Sequence, residues 1–247
     1  VDAGAATGTN PGTQNAETRQ PEESAPFSAF VFKTIADPYA GRLTLFRVYS
    51  GKLTADMGLY NASRKLTERV GSLFFLEGKV QKPVDELIPG DIAAVAKLKE
   101  TATGDTLSAE KSPIVFAKVA PPPAIISFAV EAKTRGDEDK LVSSIHRLID
   151  EDPTLTFHRD DQTREMILSG LGQIHIEVVV EKMKRKFGLE VNLKTPKVPY
   201  KETIKGKTTV QGRYKKQSGG RGQFGDTWLD IEPLPRGGGF EFLDKIV

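Results

Sequence analysis

Three consecutive prolines, Pro121 to Pro123, divide the chain into two stretches with different hydrophobic periods. Each proline fixes its own φ angle and disfavours helix at the preceding residue, so this segment predicts a stiff, extended hinge. Before the hinge, short β-rich runs alternate with turn residues. After it, apolar residues also recur at helical spacing. The chain therefore predicts a multidomain fold in which an all-β domain precedes a mixed α+β domain.

The stretch from Phe27 to about Ala120 predicts a small closed or nearly closed β-barrel, domain 27–120. Its β-rich runs are Ser28–Ile35, Arg42–Tyr49, Gly58–Ala62, Gly71–Leu76, Ile92–Leu98 and Ile114–Val119. In front of it, residues 1–26 lean acidic and contain almost no large apolar side chain. Such a segment cannot bury enough surface to offset the entropy of ordering, so we expect residues 1–26 to be a linker or disordered tail.

Residues 121–195 predict a ferredoxin-like module with the element order βαββαβ. Helices are expected over Asp137–Asp150 and Gly172–Phe187, because each carries one apolar stripe, and Gly188 is suited to end the second. The strands are expected at Ile125–Ala132, Thr154–Arg159, Glu165–Leu171 and Leu189–Leu193.

Residues 196–247 predict an incomplete α/β domain. Strands are expected at Pro199–Ile204, Thr208–Lys216, Gln223–Glu232 and Phe240–Leu243, and no helix follows to cover their sheet. We expect a monomer, apart from self-association of this piece of chain through exposed apolar sheet.

The segment between two of these strands is the most chemically distinctive one. Residues 215–225 contain four glycines, three cations and two glutamines. Glycine lets a backbone lie close to a partner, and Lys and Arg donate hydrogen bonds to phosphate. The segment therefore predicts either an RNA-contacting loop or a flexible connection between strands. The candidate contacts are Lys215, Lys216, Gln217, Ser218, Gly219, Gly220, Arg221, Gly222 and Gln223.

Two further groups of cations are candidates for RNA or ribosome contact. Arg64 and Lys65 lie in the turn 61–67, and Lys182 and Arg185 lie with Lys184 and Lys186 at the end of the second predicted helix. A solvated helix end favoured by the helix dipole explains the second group equally well. The net charge is only +2, but the last fifty residues are basic, and a local positive surface is enough to bind phosphate.

Composition excludes several other classes of site. With no cysteine, disulfides and thiolate metal sites are impossible, which fits a cytoplasmic protein. None of the three histidines has metal-ligand spacing, so no metal site is expected. No apolar run approaches the roughly 20 residues of a membrane span, so no membrane partner is expected. Ser218 has no histidine partner within reach by sequence, and we expect no catalysis from these residues alone.

In their order along the chain and in their residues, these segments resemble translation elongation factor G from about Phe27 to Val247. The matching segments are Asp37–Arg42, Arg47–Gly51, Gly90–Ile92 and Thr103–Leu107 for the family's second domain, Glu151–Pro153 and Ser169–His175 for its third, and Lys216–Gln223 for the first tip loop of its fourth. The fourth domain of this family is an α/β domain of ribosomal-protein type.

The resemblance implies part of a GTP-hydrolysing ribosomal translocase. The barrel would dock on small-subunit RNA and proteins, the module would transmit conformational change, and the loop 215–223 would contact tRNA and mRNA in the decoding site. GTP and Mg²⁺ would bind a nucleotide-binding domain that this sequence lacks. Gly206-Lys207-Thr208 is no P-loop, because that motif would require glycine at Lys201.

Two positions depart from the family pattern. Gln173 stands where glutamate is usual, and Asp226 stands where histidine is frequent. They leave open a specialised paralogue that acts in ribosome recycling or ribosome protection. A free-standing RNA-binding adaptor without nucleotide chemistry is the alternative from a different class.

Overall fold

The computed structural model describes residues 4–37, 41–55, 57–78, 80–217 and 219–245, which belong to two units, Val1–Lys197 and Val198–Val247. The helices are α1 (Glu138–Glu151) and α2 (Gln173–Phe187). The strands are β1 (Ala6–Thr9), β2 (Ala16–Arg19), β3 (Ser28–Asp37), β4 (Gly41–Ser50), β5 (Leu53–Thr54), β6 (Gly58–Asn61), β7 (Leu66–Arg69), β8 (Leu73–Glu77), β9 (Val80–Val84), β10 (Glu86–Leu87), β11 (Ile92–Ala96), β12 (Thr106–Ser108), β13 (Val115–Phe116), β14 (Ile126–Ala132), β15 (Thr156–Arg159), β16 (Met166–Gly170), β17 (Val191–Lys194), β18 (Thr208–Lys216) and β19 (Gln223–Ile231). The fold is thus mostly β, with several separate sheets.

Residues 27–120 form a β-rich domain around one antiparallel sheet. Its eight strands follow the order β7-β6-β12-β3-β4-β11-β8-β9, and β5 pairs separately with β10. Leu59 of β6, Phe46 of β4 and Leu73 of β8 are buried in the same core, although their strands lie far apart in that order. The sheet therefore curves around its own apolar face. Among the described residues its hydrogen-bonded ladder has two ends, β7 and β9.

The expected disordered tail is instead an ordered hairpin. Strands β1 and β2 pair with each other, and β1 also pairs with β13, which places Gly8 opposite Phe116. The Asn10 side chain accepts the amides of the turn residues Gly12 and Thr13, while Arg19 donates to the Ser112 carbonyl at 3.0 Å. The prediction was wrong for residues 6–19 because backbone pairing and polar contacts, rather than a large apolar core, order this segment.

Residues 121–195 form a βαββαβ module whose sheet order is β15-β16-β14-β17, with every neighbouring pair antiparallel. Each element end lies within two residues of its predicted position. One face of each helix is buried in a common core, through Leu141, Ile145 and Leu148 of α1 and Ile176, Val179 and Met183 of α2. Helix α2 ends at Gly188, which adopts a left-handed φ of 60°. In the part of the chain described here, neither helix is long and apolar enough to cross a membrane.

The second unit contains one hairpin, β18 and β19. Their register runs without a shift from the pair Thr208–Ile231 to the pair Lys216–Gln223. The strands predicted at 199–204 and 240–243 are absent among the described residues, because those segments have no ladder partner. Phe240 and Phe242 accordingly remain 88% and 70% exposed.

Candidate functional site

The candidate loop closes the hairpin beyond the pair Lys216–Gln223. Gly219 and Gly220 adopt φ angles of +67° and +79°, a region that residues with a Cβ atom rarely enter. These two glycines therefore allow the turn itself, whereas the charged side chains of the loop are the groups that could bind a partner. The predicted contact Ser218 lies outside the described residues.

Three cations at this end of the hairpin are available to a partner. Lys215, Lys216 and Arg221 are exposed. The ion pairs of this unit, among the residues that the structure describes, join Lys207 to Glu232 at 3.0 Å and Arg213 to Asp226 at 3.8 Å. The three loop cations thus carry positive charge that no carboxylate of the described chain neutralises, which suits binding to phosphate. Gln217, Gly222 and Gln223 are exposed beside them.

The other predicted pair, Arg64 and Lys65, lies in the turn after β6. Arg64 donates through Nε to the buried Asp105 carboxylate at 2.7 Å, and its amide donates to Asn61 Oδ1 at 3.0 Å. Lys65 adopts a left-handed φ of 59°. Arg64 therefore stabilises the turn by its bond to Asp105. Of the two cations, Lys65 has no such bond to another described residue.

Glu68 on β7 forms hydrogen bonds with the loop that follows β11. Its carboxylate accepts the amides of Lys99, Glu100 and Thr101 at 2.5, 3.1 and 3.0 Å, and the Thr101 hydroxyl at 2.5 Å. Partial burial by itself would raise the pKa of Glu68. The hydrogen bonds from Thr101, Glu100 and Lys99 favour the ionised form, however, and hold the pKa below its usual range.

This lowered pKa predicts a pH-dependent contribution to stability. The contribution of Glu68 should be complete above its unfolded pKa of about 4.3 and should be lost as pH falls through the lower folded pKa. We expect Glu68→Gln to unfold at lower urea concentration than the wild type at pH 7, and the two midpoints to converge below about pH 4. Glu110→Gln, at an exposed carboxylate, is the control and should track the wild type. A Glu68→Gln difference that persists unchanged at pH 3 would contradict this account.

The cations at the end of α2 are mostly engaged within the chain. Lys186 lies 2.5 Å and Lys182 lies 3.8 Å from the Glu151 carboxylate, while Lys184 lies 3.3 Å from that of Glu190. Arg185 is exposed and makes no ion pair with another described residue. Of the two residues predicted here as ribosome contacts, Arg185 alone presents an unshared charge within the described chain.

Glu151, at the end of α1, makes contacts between separate elements that the sequence did not predict. Its buried carboxylate accepts the Ala36 amide of β3 at 2.7 Å in addition to Lys186. Lys33 of β3 donates to the Glu151 carbonyl at 3.0 Å, and Lys186 also donates to the Ala36 carbonyl at 3.1 Å. One carboxylate therefore joins the β-rich domain to both helices of the module.

The neighbouring Asp152 links two motifs of the module. It lies 3.0 Å from Nε2 of His175, whose Nδ1 accepts the Leu171 amide at 3.2 Å. Burial alone would raise the pKa of Asp152, but hydrogen bonds from Thr154 and His175 lower it. The segments Glu151–Pro153 and Ser169–His175 thus meet in space and fix the start of α2.

The segment Gly206-Lys207-Thr208 does not have the surroundings of a P-loop. It leads into strand β18, not into a helix N-terminus that could bind phosphates, and Lys207 lies beside Glu232. This segment therefore does not fit GTP. Within the described ranges, no three His, Asp or Glu side chains converge as metal ligands would.

Three family models match the chain in succession. They are "Elongation factor G domain 2" over residues 26–110, "Elongation Factor G, domain III" over residues 121–195 and "Elongation factor G, domain IV" over residues 196–247.

Individual proteins are similar over nearly the whole chain. Elongation factor G of Thermotoga maritima is 47% identical over 231 residues, which cover 93% of this chain and 33% of that protein. Elongation factor G of Aquifex pyrophilus is 45% identical over 240 residues, 97% of this chain and 34% of that protein. A crystal structure from Thermus thermophilus matches with a TM-score of 0.71 at 36% identity, covering 84% of this chain and 31% of that one. The chain thus spans about a third of the length of the curated relatives it matches.

Proposed function

Because this chain belongs to the elongation factor G family, we propose that it forms part of a cytoplasmic ribosomal translocase, which couples GTP hydrolysis to the movement of tRNA and mRNA. We read the β-rich domain as a translation-factor barrel that docks on the small ribosomal subunit. The βαββαβ module is then a ferredoxin-like transmission element, and residues 196–247 begin an α/β domain of ribosomal-protein type. The protein would act as a monomer.

The observation that carries this proposal is the hairpin loop with its unshared cations, in a segment that matches the family's fourth domain. Lys215, Lys216 and Arg221 would bind backbone phosphates of tRNA and mRNA, and Gln217 and Gln223 would donate to sugar or base edges. Ser218 and the loop glycines would complete this surface. These residues make and break no bonds, so their contribution would be positioning and electrostatics.

GTP and Mg²⁺ would be held by a domain outside these 247 residues, since the segment Gly206–Thr208 does not fit them. The nucleotide state would reach the loop through the module, whose position relative to the β-rich domain is fixed by Glu151 in this conformation. A change in that position would be the two-state element that such coupling requires.

The test is made in the full-length translocase that this proposal implies. Combining Gln217→Ala with Arg221→Ala should slow single-round translocation by about tenfold or more, because one hydrogen bond to a phosphate and one to a sugar or base edge are lost. Ribosome-stimulated GTP hydrolysis should stay near the wild-type rate. Arg236→Ala removes an exposed arginine of the same unit that has no ion-pair partner in the described chain, and it should change neither rate. Equal loss of both activities in the loop variant would contradict the proposed division of labour.

A specialised paralogue is the second candidate, and it is favoured by the two departures from the family pattern. Asp226 accepts from Gln211 at 2.9 Å and lies beside Arg213, while Gln173 donates to Glu177 at 2.9 Å. Both side chains are therefore engaged locally in ways that a histidine or a glutamate would alter. Ribosome-subunit splitting without translocation would favour recycling over elongation. A native protein of only 27.0 kDa in source cells would favour the free-standing RNA-binding adaptor.

A further inference from the structure

The hairpin has two chemically different faces. Because β18 and β19 pair without a register shift, directly opposed side chains lie on the same face. One face carries the apolar side chains Val210, Tyr214, Leu229 and Ile231. The other, here named the basic aromatic face, carries Gln211, Arg213, Lys215, Phe224 and Trp228, together with the carboxylates Asp226 and Asp230. This second face adjoins the loop at Phe224, the residue after Gln223.

The basic aromatic face presents two large rings to solvent. Phe224 is 65% exposed and Trp228 is 68% exposed. The Arg213 guanidinium lies over the Phe224 ring, 5.6 Å from its centroid, and Lys215 is the cross-strand partner of Phe224. An aromatic ring stacked with arginine and still mostly open to solvent is an arrangement that holds an unpaired nucleic-acid base.

The charge around this ring favours RNA over a protein or a lipid surface as the occupant. Near Phe224 this face carries the cations Arg213 and Lys215 and the carboxylate Asp226, and the loop adds Arg221, while Lys216 lies on the opposite face. Asp226 is already engaged by Gln211 at 2.9 Å and by Arg213 at 3.8 Å. Asp230, the other carboxylate of the face, lies towards the far end of the hairpin and accepts from Thr209 at 2.6 Å. The end of the face nearest the loop is therefore positive and aromatic together, which matches phosphate and base within one nucleotide.

We propose that the basic aromatic face is a second RNA-contacting site beside the loop. In it, Phe224 and the Arg213 guanidinium stack on an unpaired base while Lys215 binds an adjacent phosphate. The proposal rests on the proposed function, since it deepens the RNA contact assigned there to the loop. Trp228 lies four residues along the same strand, about 13 Å from Phe224, so it contacts a different nucleotide.

RNA binding can be measured through the fluorescence of Trp228, because it is the only tryptophan of the chain. The purified 247-residue protein is titrated at low salt with a single-stranded oligoadenylate of about twelve nucleotides, a length typical of such sites, while Trp228 fluorescence is followed. We expect saturable quenching, and we expect Phe224→Ala to weaken the binding by about tenfold. Phe224→Leu, which keeps apolar bulk in the strand, should weaken it similarly. Val210→Ala, on the opposite face and away from the loop, should bind as the wild type does.

Two outcomes overturn the proposal. One is wild-type affinity in both Phe224 variants, and the other is an equal loss in Val210→Ala. An RNA duplex of the same length should bind with no dependence on Phe224, and a dependence equal to that of the single strand would also overturn base stacking. These results are separate from the translocation assay. If the Gln217 and Arg221 variant loses translocation but Phe224→Ala binds RNA normally, the proposed function is supported. The proposal that the basic aromatic face binds RNA is then wrong.

Discussion

Replacing Glu151 with alanine should lower the free energy of unfolding of the first unit by about 3 kcal/mol. The buried carboxylate accepts the Ala36 amide and the Lys186 ammonium, and Lys182 lies nearby. Its removal leaves a half-buried ammonium and a buried amide without their acceptor, and an unpaired buried donor costs more than the bond itself contributes. The loss should fall on the junction between the β-rich domain and the module.

Urea unfolding, followed by far-UV circular dichroism, measures this loss of unfolding free energy. Two further variants show which property of Glu151 causes it. Glu151→Gln can still accept the Ala36 amide but has no charge for Lys186, so it should unfold between the wild type and Glu151→Ala. Glu190→Ala removes a carboxylate that pairs with Lys133 and Lys184 at the exposed surface and should leave the transition unchanged. If Glu151→Ala unfolds at the same urea concentration as Glu190→Ala, the buried junction contributes nothing.

Replacing Gly51 with alanine should destabilise the β-rich domain by about 3 kcal/mol, for two physical reasons that add. Gly51 adopts φ +69°, which strains a residue with a Cβ atom. The new methyl group would also lie 2.6 Å from the Ala25 carbonyl oxygen and from the backbone of Phe27. Backbone atoms at that distance cannot rotate away as a side chain can, so the strand ends must separate.

Gly78→Ala should show the cost of the strained φ angle without the cost of a close contact. Gly78 adopts φ +59°, but nothing lies within 4 Å of the position that its Cβ would take. We expect a loss of only about 1 kcal/mol from the strained φ. Thermal unfolding of both variants, followed by circular dichroism, gives the comparison. Equal losses at the two positions would mean that the close approach to Phe27 is relieved without cost.

The module was the most predictable part of the chain, because its local signals agree with its packing. The apolar stripes of α1 and α2 have the helical period, and Gly188 ends α2 in the conformation that glycine favours. The hairpin β18–β19 was similarly evident from two β-rich runs around a glycine-rich turn. In each case the information lies within a few residues along the sequence, where pattern and propensity can be read directly.

Contacts between distant segments could not be predicted in this way. Arg19 orders the N-terminal hairpin by donating to Ser112, and nothing near Arg19 in the sequence indicates that partner. Residues Pro199–Ile204 carry a strand pattern but have no neighbouring strand among the residues that the structure describes. A single sequence shows the propensity to extend, whereas a strand forms only where a partner is present.

The sequence indicated where the candidate cations lie along the chain, but not which of them are paired within it. Lys215, Lys216 and Arg221 are exposed, whereas Arg64 is bonded to Asp105, which lies 41 residues further along the chain. Glu151 belongs to the matching segment Glu151–Pro153, but nothing in the sequence indicates that it is buried against Lys186 and Ala36. Exposure and pairing of charges depend on tertiary packing, so they emerge only with the structure.

The pairing of β1 with β13 has a mechanical consequence. The strands are antiparallel with Gly8 opposite Phe116 and Thr9 opposite Val115, so the start of β1 and the end of β13 lie at the same end of the pair. Tension that pulls residue 4 away from residue 120 would load these hydrogen bonds one after another rather than in shear. The N-terminal hairpin would therefore peel from β13 at low force, before the longer β3–β4 ladder carried any load.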